Sequence, residues 1–175
     1  MNIKNDKLIK IKQEDVINGC VEIPNGIKII GWNACEYKIE ISKVEIPEGV
    51  IYIDAGAFSG GIKKINIPES VTFMGINSFS WNEIEKINIP KNIKKIEDFT
   101  FNRNNISELE IPNGVESIGK FAFANNKLTK LVIPKSVKVI KKDAFINNSL
   151  TEVIISKNTK VSKEAFDEGV IIKYI

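Results

Sequence analysis

The six prolines of the sequence stand at nearly equal intervals, and this spacing constrains the fold more than any other feature. They are Pro24, Pro47, Pro68, Pro90, Pro112 and Pro134. Each follows an apolar-x-Ile triplet, and further apolar residues come three and six positions after it. A period of about 22 residues is typical of solenoids, in which each repeat is one coil that buries its apolar side only against its neighbours. The spacing therefore predicts a repeat protein.

The repeat predicts a series of coils without linkers, preceded by a segment that does not match it. The predicted coils are 21–43, 44–64, 65–86, 87–108, 109–130, 131–152 and a shorter one from Val153. Residues 1–20 are predicted to form an N-terminal cap, because the first coil would otherwise expose its apolar side. Within that segment Ile9 and Ile11 alternate with lysines, which favours a short half-buried strand. Residues 21–175 are the predicted repeat domain, closed by its last coil and final strand.

The coil 109–130 shows how the pattern assigns side chains to the inside or the outside. Residues 109–111 alternate apolar and polar side chains, which predicts a short strand with two inward residues. Val115 and Ile118 are expected to point inward from a second short strand. Residues 121–123 are too few for a full helix and predict a single helical turn. Each coil is thus expected to combine two short strands with one turn.

Two columns of identical residues are predicted to run through the stack. Phenylalanines about eleven positions after each proline but the first, and at the matching position of the last coil, are expected to stack as wedges between coils. They are Phe58, Phe79, Phe101, Phe123, Phe145 and Phe166. Asparagines three residues further on are expected to satisfy backbone groups of the next coil rather than to bind a ligand. They are Asn82, Asn104, Asn126 and Asn148.

The pattern of residues 129–145, with Ile-Pro followed by Val, Ile and Ala-Phe, resembles the BspA-type (Treponema pallidum-type) leucine-rich repeat family. The resemblance covers residues 21–175. It implies an α/β leucine-rich repeat solenoid, a right-handed superhelix with short parallel strands on the concave face and single helical turns opposite. It also implies a bacterial, adhesin-like or host-interacting binding protein. Cys35 departs from the pattern, since it stands where later coils carry phenylalanine.

The composition favours binding over chemistry. The chain has no histidine, the commonest general base and metal ligand at neutral pH. No phosphate loop, Cys-x-x-Cys pair or carboxylate cluster appears, so we predict no enzyme activity, no catalytic or metal site and no cofactor. A net charge of +3 is too small to favour nucleic acid. No stretch has the length of a signal peptide or a membrane span, which predicts a cytoplasmic protein, or a secreted or surface protein if a leader has been removed.

Two sets of outward apolar residues are the candidate partner-binding sites. Ile29, Tyr52 and Phe73 each lie five residues after a proline, between the two inward positions. They form either a partner site or a surface shielded by a loop or by the cap. Val132, Ile154 and Ile171 form a second outward column near the last strand. This strand either pairs with a second copy, docks a partner, or is sealed when its last two residues fold back.

Two function hypotheses follow from these surfaces. In the first, the chain is a non-enzymatic binding module that recognises a protein, or a glycan, through exposed columns of the solenoid. In the second, it is a structural protein that assembles with copies of itself through its C-terminal edge.

Overall fold

The computed structural model describes residues 1–35 and 40–175, and it shows a solenoid of about seven stacked coils. The one helix among these residues is a 3-10 turn, η1, at Gln13–Asp15. The strands are β1 (Asn2–Lys4), β2 (Lys7–Lys10), β3 (Cys20–Glu22), β4 (Ile29–Ile30), β5 (Lys43–Glu45), β6 (Tyr52–Ile53), β7 (Lys64–Asn66), β8 (Phe73–Met74), β9 (Lys95–Ile96), β10 (Ser117–Ile118), β11 (Leu131–Val132), β12 (Val139–Ile140), β13 (Glu152–Ile155), β14 (Lys160–Val161) and β15 (Ile171–Tyr174).

The strands form two columns, one on each side of the proline turn. The first column contains the strands that precede the prolines, in the sheets β3-β5-β7 and β11-β13-β15. Between these two sheets lies an isolated bridge from Lys86 to Glu108. The second column contains the strands that follow the prolines, in the sheets β1-β2-β4-β6-β8 and β9-β10-β12-β14. Apart from β1, every named strand in these sheets runs parallel to its neighbours, as the stacking of coils requires.

The proline turn explains the change of direction between the two columns. The Pro112 carbonyl accepts a 3.1 Å hydrogen bond from the Val115 N–H, and the same bond recurs after Pro68, Pro90 and Pro134. Proline suits this position because its fixed φ favours the turn and its missing N–H has no ladder partner to lose. Val115 is completely buried, as is Ile118 at the end of β10. The predicted second strand is therefore confirmed.

The N-terminal segment supplies half a coil. Strand β2 forms a hairpin with β1 and runs parallel to β4, with Leu8 paired with Ile30. The Ile11 N–H donates a hydrogen bond to the Ala34 carbonyl. In later coils, the N–H of the column phenylalanine donates in the same way to a carbonyl of the next coil. Leu8 and Ile11 are completely buried, whereas Ile9 is exposed, so the predicted inward position of Ile9 is wrong. The division at residue 20 stays a prediction.

The turn that carries the phenylalanines is not helical. Ala122 and Ala124 donate their N–H groups to the carbonyls of Gly119 and Phe121, which makes two successive four-residue turns. Phe121 has a φ of 55°, in the left-handed region, and this breaks any helical run. The position nine residues after the proline is left-handed in all six coils that contain a proline, for example at Phe99 and Asp143. The predicted helical turns are therefore not found, and the right-handed superhelix stays a prediction.

The phenylalanine column passes through the core of the stack. Consecutive rings have centroids 5.3 to 5.8 Å apart and interplanar angles of 7° to 16°. All its members except Phe166, at the C-terminal end, have no exposed surface. Cys35 is buried at the top of the column and bridges to Phe58. The rings lie at the spacing expected for favourable offset stacking.

The asparagine column connects each coil to the preceding one. Asn126 Nδ2 donates to the carbonyls of Phe123 in its own coil and Phe101 in the coil before, at 3.1 and 2.9 Å. Its Oδ1 accepts a bond from the Ile106 N–H. Asn82, Asn104 and Asn148 make equivalent bonds. These partners lie in the preceding coil rather than the next one, which corrects the expected direction.

One buried hydroxyl, in the turn that carries the phenylalanines, lacks a hydrogen-bond partner and provides a test of the core. Ser78 is completely buried, and its Oγ makes no hydrogen bond. Ala57 and Ala122 occupy the same position in other coils. We expect Ser78→Ala to raise the free energy of unfolding by about 1 kcal/mol, because the desolvation cost of the hydroxyl is removed.

The control for this change is Thr100→Ala, at the same position of the next coil, one residue before the wedge Phe101. Thr100 Oγ1 donates to the Glu97 carbonyl at 2.8 Å, so its removal should lower stability. Urea denaturation of the three proteins measures both effects. Equal losses in the two variants would show that the Ser78 hydroxyl does find a partner.

Candidate functional site

The three N-terminal candidates lie side by side in one ladder. Ile29 pairs with Tyr52, and Tyr52 pairs with Phe73, through the parallel strands β4, β6 and β8. Their side chains point outward because the adjacent positions in these strands, such as Ile53, are buried. The Tyr52 and Phe73 rings stack with centroids 4.4 Å apart and an interplanar angle of 11°. The structure therefore brings the three predicted residues together on one face.

Ile51 joins this set, although its sequence position did not single it out. It is 47% exposed, and the neighbouring Tyr52 is 37% exposed. Other coils carry Lys28, Thr72 or Lys94 at this position, so an isoleucine there was the signal that could have identified it. We define Ile29, Ile51, Tyr52 and Phe73 as the N-terminal apolar strip.

Charged pairs border the N-terminal apolar strip. Lys7 Nζ lies 3.7 Å from an Asp54 carboxylate oxygen, and Lys95 Nζ lies 2.7 Å from Glu97. Burial raises the pKa of the Tyr52 hydroxyl, and the carboxylates of Asp54 and Glu97 raise it further. The hydroxyl therefore stays protonated at neutral pH and can donate a hydrogen bond. An apolar centre with a polar rim is the usual anatomy of a protein-binding surface.

The N-terminal hairpin of β1 and β2 continues the ladder of the strip rather than covering it. Lys7 of β2 pairs with Ile29, so the hairpin occupies the next rung at the edge of the strip. Tyr52 and Ile51 keep their exposure in the presence of this hairpin. The sequence left two alternatives for this surface, a partner site or shielding by a loop or by the N-terminal segment. Shielding by the N-terminal segment is not observed for these two side chains.

The C-terminal candidates do not form a single column. Val132 pairs with Ile154, and both point outward, with Val132 57% exposed. The residue that pairs with Ile154 in the last strand is Lys173, whereas Ile171 pairs with Glu152. The predicted alignment of Ile171 with Ile154 is therefore wrong by two residues. Ile171 still lies on the outward face, at 61% exposure.

The C-terminal end of the stack leaves some apolar residues partly exposed. Strand β15 is the last strand of its sheet. The Ile175 N–H donates to the Ile155 carbonyl, so the last residues continue the rung and do not fold back over the outward column. Beyond them lies a hollow of about 650 Å³, lined by Val161, Phe166 and Ile172 among others. This end contrasts with the N-terminal one, where the hairpin covers the first coil.

Among residues 1–35 and 40–175, no group of three or more His, Cys, Asp and Glu side chains is placed to hold a metal ion. Within the same ranges, no helix has the length and apolar character to span a membrane.

Sequence comparison identifies the family. The model of the BspA type leucine rich repeat region matches six copies, within residues 6–98 and 61–173. The chain therefore belongs to the BspA-type leucine-rich repeat family, as the resemblance predicted. No curated protein matches the chain by sequence.

Three solved structures resemble the chain at low sequence identity. A leucine-rich repeat protein from Bacteroides ovatus is 21% identical, with a TM-score of 0.56 over 89% of this chain and 55% of that one. A leucine rich cell surface protein from Faecalibacterium prausnitzii is 18% identical, with a TM-score of 0.45 over 89% of this chain and 59% of that one. The pneumococcal vaccine antigen PcpA is 18% identical, with a TM-score of 0.44 over 89% and 57%. The chain spans little more than half the length of these structures.

Proposed function

We propose that this chain is a non-enzymatic binding module that recognises a protein through the N-terminal apolar strip. The observation that carries the proposal is the stacked pair of Tyr52 and Phe73 at the centre of an exposed apolar set with charged pairs around it. Rigid aromatic anchors of this kind contribute most of the free energy in protein interfaces. In an adhesin-like role, the module would present this strip to a host or neighbouring cell.

The fold itself argues that these aromatic residues serve a purpose other than folding. The same ladder position holds Lys95 in β9 and Ser117 in β10, where the solenoid continues without interruption. A polar side chain is therefore sufficient for the coil. Large apolar residues concentrated in consecutive coils favour a surface retained for a partner.

The ladder supplies its own substitutions for a test. In the double variant Tyr52→Lys and Phe73→Ser, both residues take the identities found two coils further on. When the double variant is used as bait for affinity capture from the native cell, we expect it not to retain the protein that the wild type retains. The free energy of unfolding should fall by less than about 2 kcal/mol, the range of one half-buried aromatic pair.

Ser117→Lys is the matched control, since it changes the same column outside the strip. It should retain the partner that the wild type captures. Capture of that protein by the double variant at the wild-type level would refute the strip as the binding site.

A second candidate function, self-assembly through the C-terminal end, has one observation in its favour. Ile171, Tyr174 and Ile175 are all exposed in or next to the edge strand, and Tyr174 lines the hollow at this end. An edge strand with free backbone groups can pair with an equivalent strand of a second copy. Light scattering over a concentration series distinguishes this candidate: the wild type would dimerise and Ile171→Lys would not. A monomer in both cases, even at high concentration, would exclude pairing.

A further inference from the structure

The side of the solenoid that carries the N-terminal apolar strip continues into the later coils with the opposite charge. It consists of the residues that follow each proline, up to the end of the post-proline strand. In the three coils of the strip these residues include one lysine, two glutamates and one aspartate, within 25–31, 48–54 and 69–75. In the four later coils they include eight lysines and two glutamates, within 91–97, 113–119, 135–141 and 157–162. The formal charge therefore changes from −2 to +6 along one side of the molecule.

The backbone stacks the lysines of the later coils above one another. The Glu116 N–H donates to the Lys94 carbonyl, and the Lys138 N–H donates to the Glu116 carbonyl, each at 2.8 Å. The Lys160 N–H donates to the Lys138 carbonyl at the same distance. Neighbouring residues in this row are about 4.8 Å apart, the spacing of neighbouring strands, and all four are exposed. We define the basic half-face as Lys91, Lys94, Lys95, Lys135, Lys138, Lys141, Lys157 and Lys160.

The basic half-face begins where the N-terminal apolar strip ends. Lys95 holds, in the next coil, the position that Tyr52 and Phe73 hold in the strip. Its Nζ lies 2.7 Å from the Glu97 carboxylate. Burial and the Asp54 carboxylate raise the pKa of the Tyr52 hydroxyl, and the Glu97 carboxylate raises it further, so Glu97 is close enough to the strip to act on it. One partner can therefore contact both regions at once.

Carboxylates of the chain itself neutralise only part of the basic half-face. Three of its lysines form ion pairs, which are Lys95–Glu97, Lys138–Glu116 and Lys141–Asp98, with N–O distances of 2.7, 2.8 and 3.2 Å. Within residues 1–35 and 40–175, the other five have no carboxylate at ion-pair distance. Like charges held one coil apart repel one another unless an anion lies between them. The half-face is thus an unneutralised basic surface.

We propose that the basic half-face binds an acidic segment of the same protein partner that docks on the N-terminal apolar strip. That the partner is a protein rests on the proposed function, whereas the sign of its charge follows from the lysines. Complementary charge would also fix the direction of the partner along the solenoid, because the carboxylates of the first coils repel its acidic part. Seven coils at about 4.8 Å span about 29 Å, a length that about nine extended residues cover.

Nucleic acid is the other kind of polyanion that a lysine-rich surface can bind. Arginine is the residue preferred for phosphate groups, since its planar guanidinium forms two parallel hydrogen bonds with them. The single arginine of the chain, Arg103, lies thirteen residues after its proline and outside the half-face. Glu97 and Glu116 interrupt the lysines, and they would repel a duplex that carries a charge every ~1.7 Å. These features favour a short acidic polypeptide.

Fluorescence anisotropy of a labelled decaglutamate peptide, titrated with the full chain, tests the proposal. We expect saturable binding at about 50 mM NaCl, with a dissociation constant of about 100 μM or below, and at least about tenfold weaker binding at about 200 mM NaCl. The triple variant Lys135→Glu, Lys157→Glu and Lys160→Glu should bind at least about tenfold more weakly at low salt, because it reverses three unpaired charges of the half-face. The matched control changes the net charge equally at exposed lysines elsewhere and should bind as the wild type does; it combines Lys64→Glu, Lys127→Glu and Lys130→Glu.

Three outcomes would overturn the proposal. The first is no saturable binding of decaglutamate by the wild type at low salt, a result that does not depend on the folding of any variant. The second is equal weakening in the two triple variants, which would mean that net charge alone attracts the peptide. The third is tighter binding of a ten-base-pair DNA duplex through the same three lysines, which would assign the half-face to nucleic acid.

A further variant separates this proposal from the proposed function. Phe73→Ser removes an anchor of the N-terminal apolar strip and leaves the charge unchanged, so it should bind decaglutamate as the wild type does. Failure of decaglutamate binding leaves capture through the strip untouched. Failure of capture, in turn, leaves the binding of decaglutamate in place, so the two proposals fail separately.

Discussion

Phe123→Ala is expected to lower the free energy of unfolding by about 3 to 5 kcal/mol, the usual cost of truncating a large buried aromatic residue. The ring is completely buried and stacks between Phe101 and Phe145, with centroids 5.3 and 5.4 Å away. Its removal leaves a cavity that two neighbouring coils share. A solenoid is stabilised by contacts between adjacent coils, so the loss is felt on both sides of the change.

Phe121→Ala provides the matched control in the same coil. Phe121 is half-buried and stacks on Phe99 near the surface, so its truncation should cost about 1 kcal/mol. Urea denaturation gives both values. Similar losses for the two variants would mean that the column at position 123 is not the core of the stack.

Asn126→Ala is expected to cost as much as the loss of a core aromatic, about 3 to 5 kcal/mol. The amide makes three donor bonds and accepts a fourth, all in buried surroundings. The carbonyls of Phe101 and Phe123 each keep a second donor, from Asn104 and Asn148. The Ile106 N–H would lose its acceptor, and a buried unpaired donor alone costs about 1 to 3 kcal/mol.

Asn113→Ala is the control for this second variant. Asn113 is exposed on the proline turn, so its change should stay within about 0.5 kcal/mol. A loss below about 1 kcal/mol for Asn126→Ala would show that water replaces the amide and that the column is not a structural ladder.

Much of the fold was readable because each coil repeats one set of requirements. The proline ends one strand, and the valine three residues later closes the turn, so the inward positions Val115 and Ile118 follow directly. Errors of register occurred at the ends, where the repeat is irregular. The last coil has Ser156 in place of proline and is one residue shorter, so nothing in its sequence set the alignment of Ile171. At the other end, the hairpin makes Leu8 the inward residue in place of Ile9.

The turn conformation and the candidate sites were harder to predict, for physical reasons. A helical turn and a left-handed turn need similar numbers of residues, so the length of the segment does not distinguish them. Phenylalanine rarely adopts a positive φ, so Phe121 did not indicate the left-handed turn. The ladder of Ile29, Tyr52 and Phe73 was found because it lies between two inward positions of a regular strand. Ile51 was missed because other coils carry a polar residue, such as Lys28 or Thr72, at the same position, so the repeat does not describe that position as apolar.

The most direct test of the account is the affinity of the purified partner for the N-terminal apolar strip. Once capture has identified the protein, its dissociation constant can be measured by calorimetry with the wild type, the Tyr52→Lys and Phe73→Ser double variant and Ser117→Lys. Two central aromatic anchors contribute about 2 kcal/mol or more each, about 4 kcal/mol together, so the double variant should bind about 700-fold more weakly. Ser117→Lys should bind as the wild type does. Equal affinity of all three proteins would contradict the account.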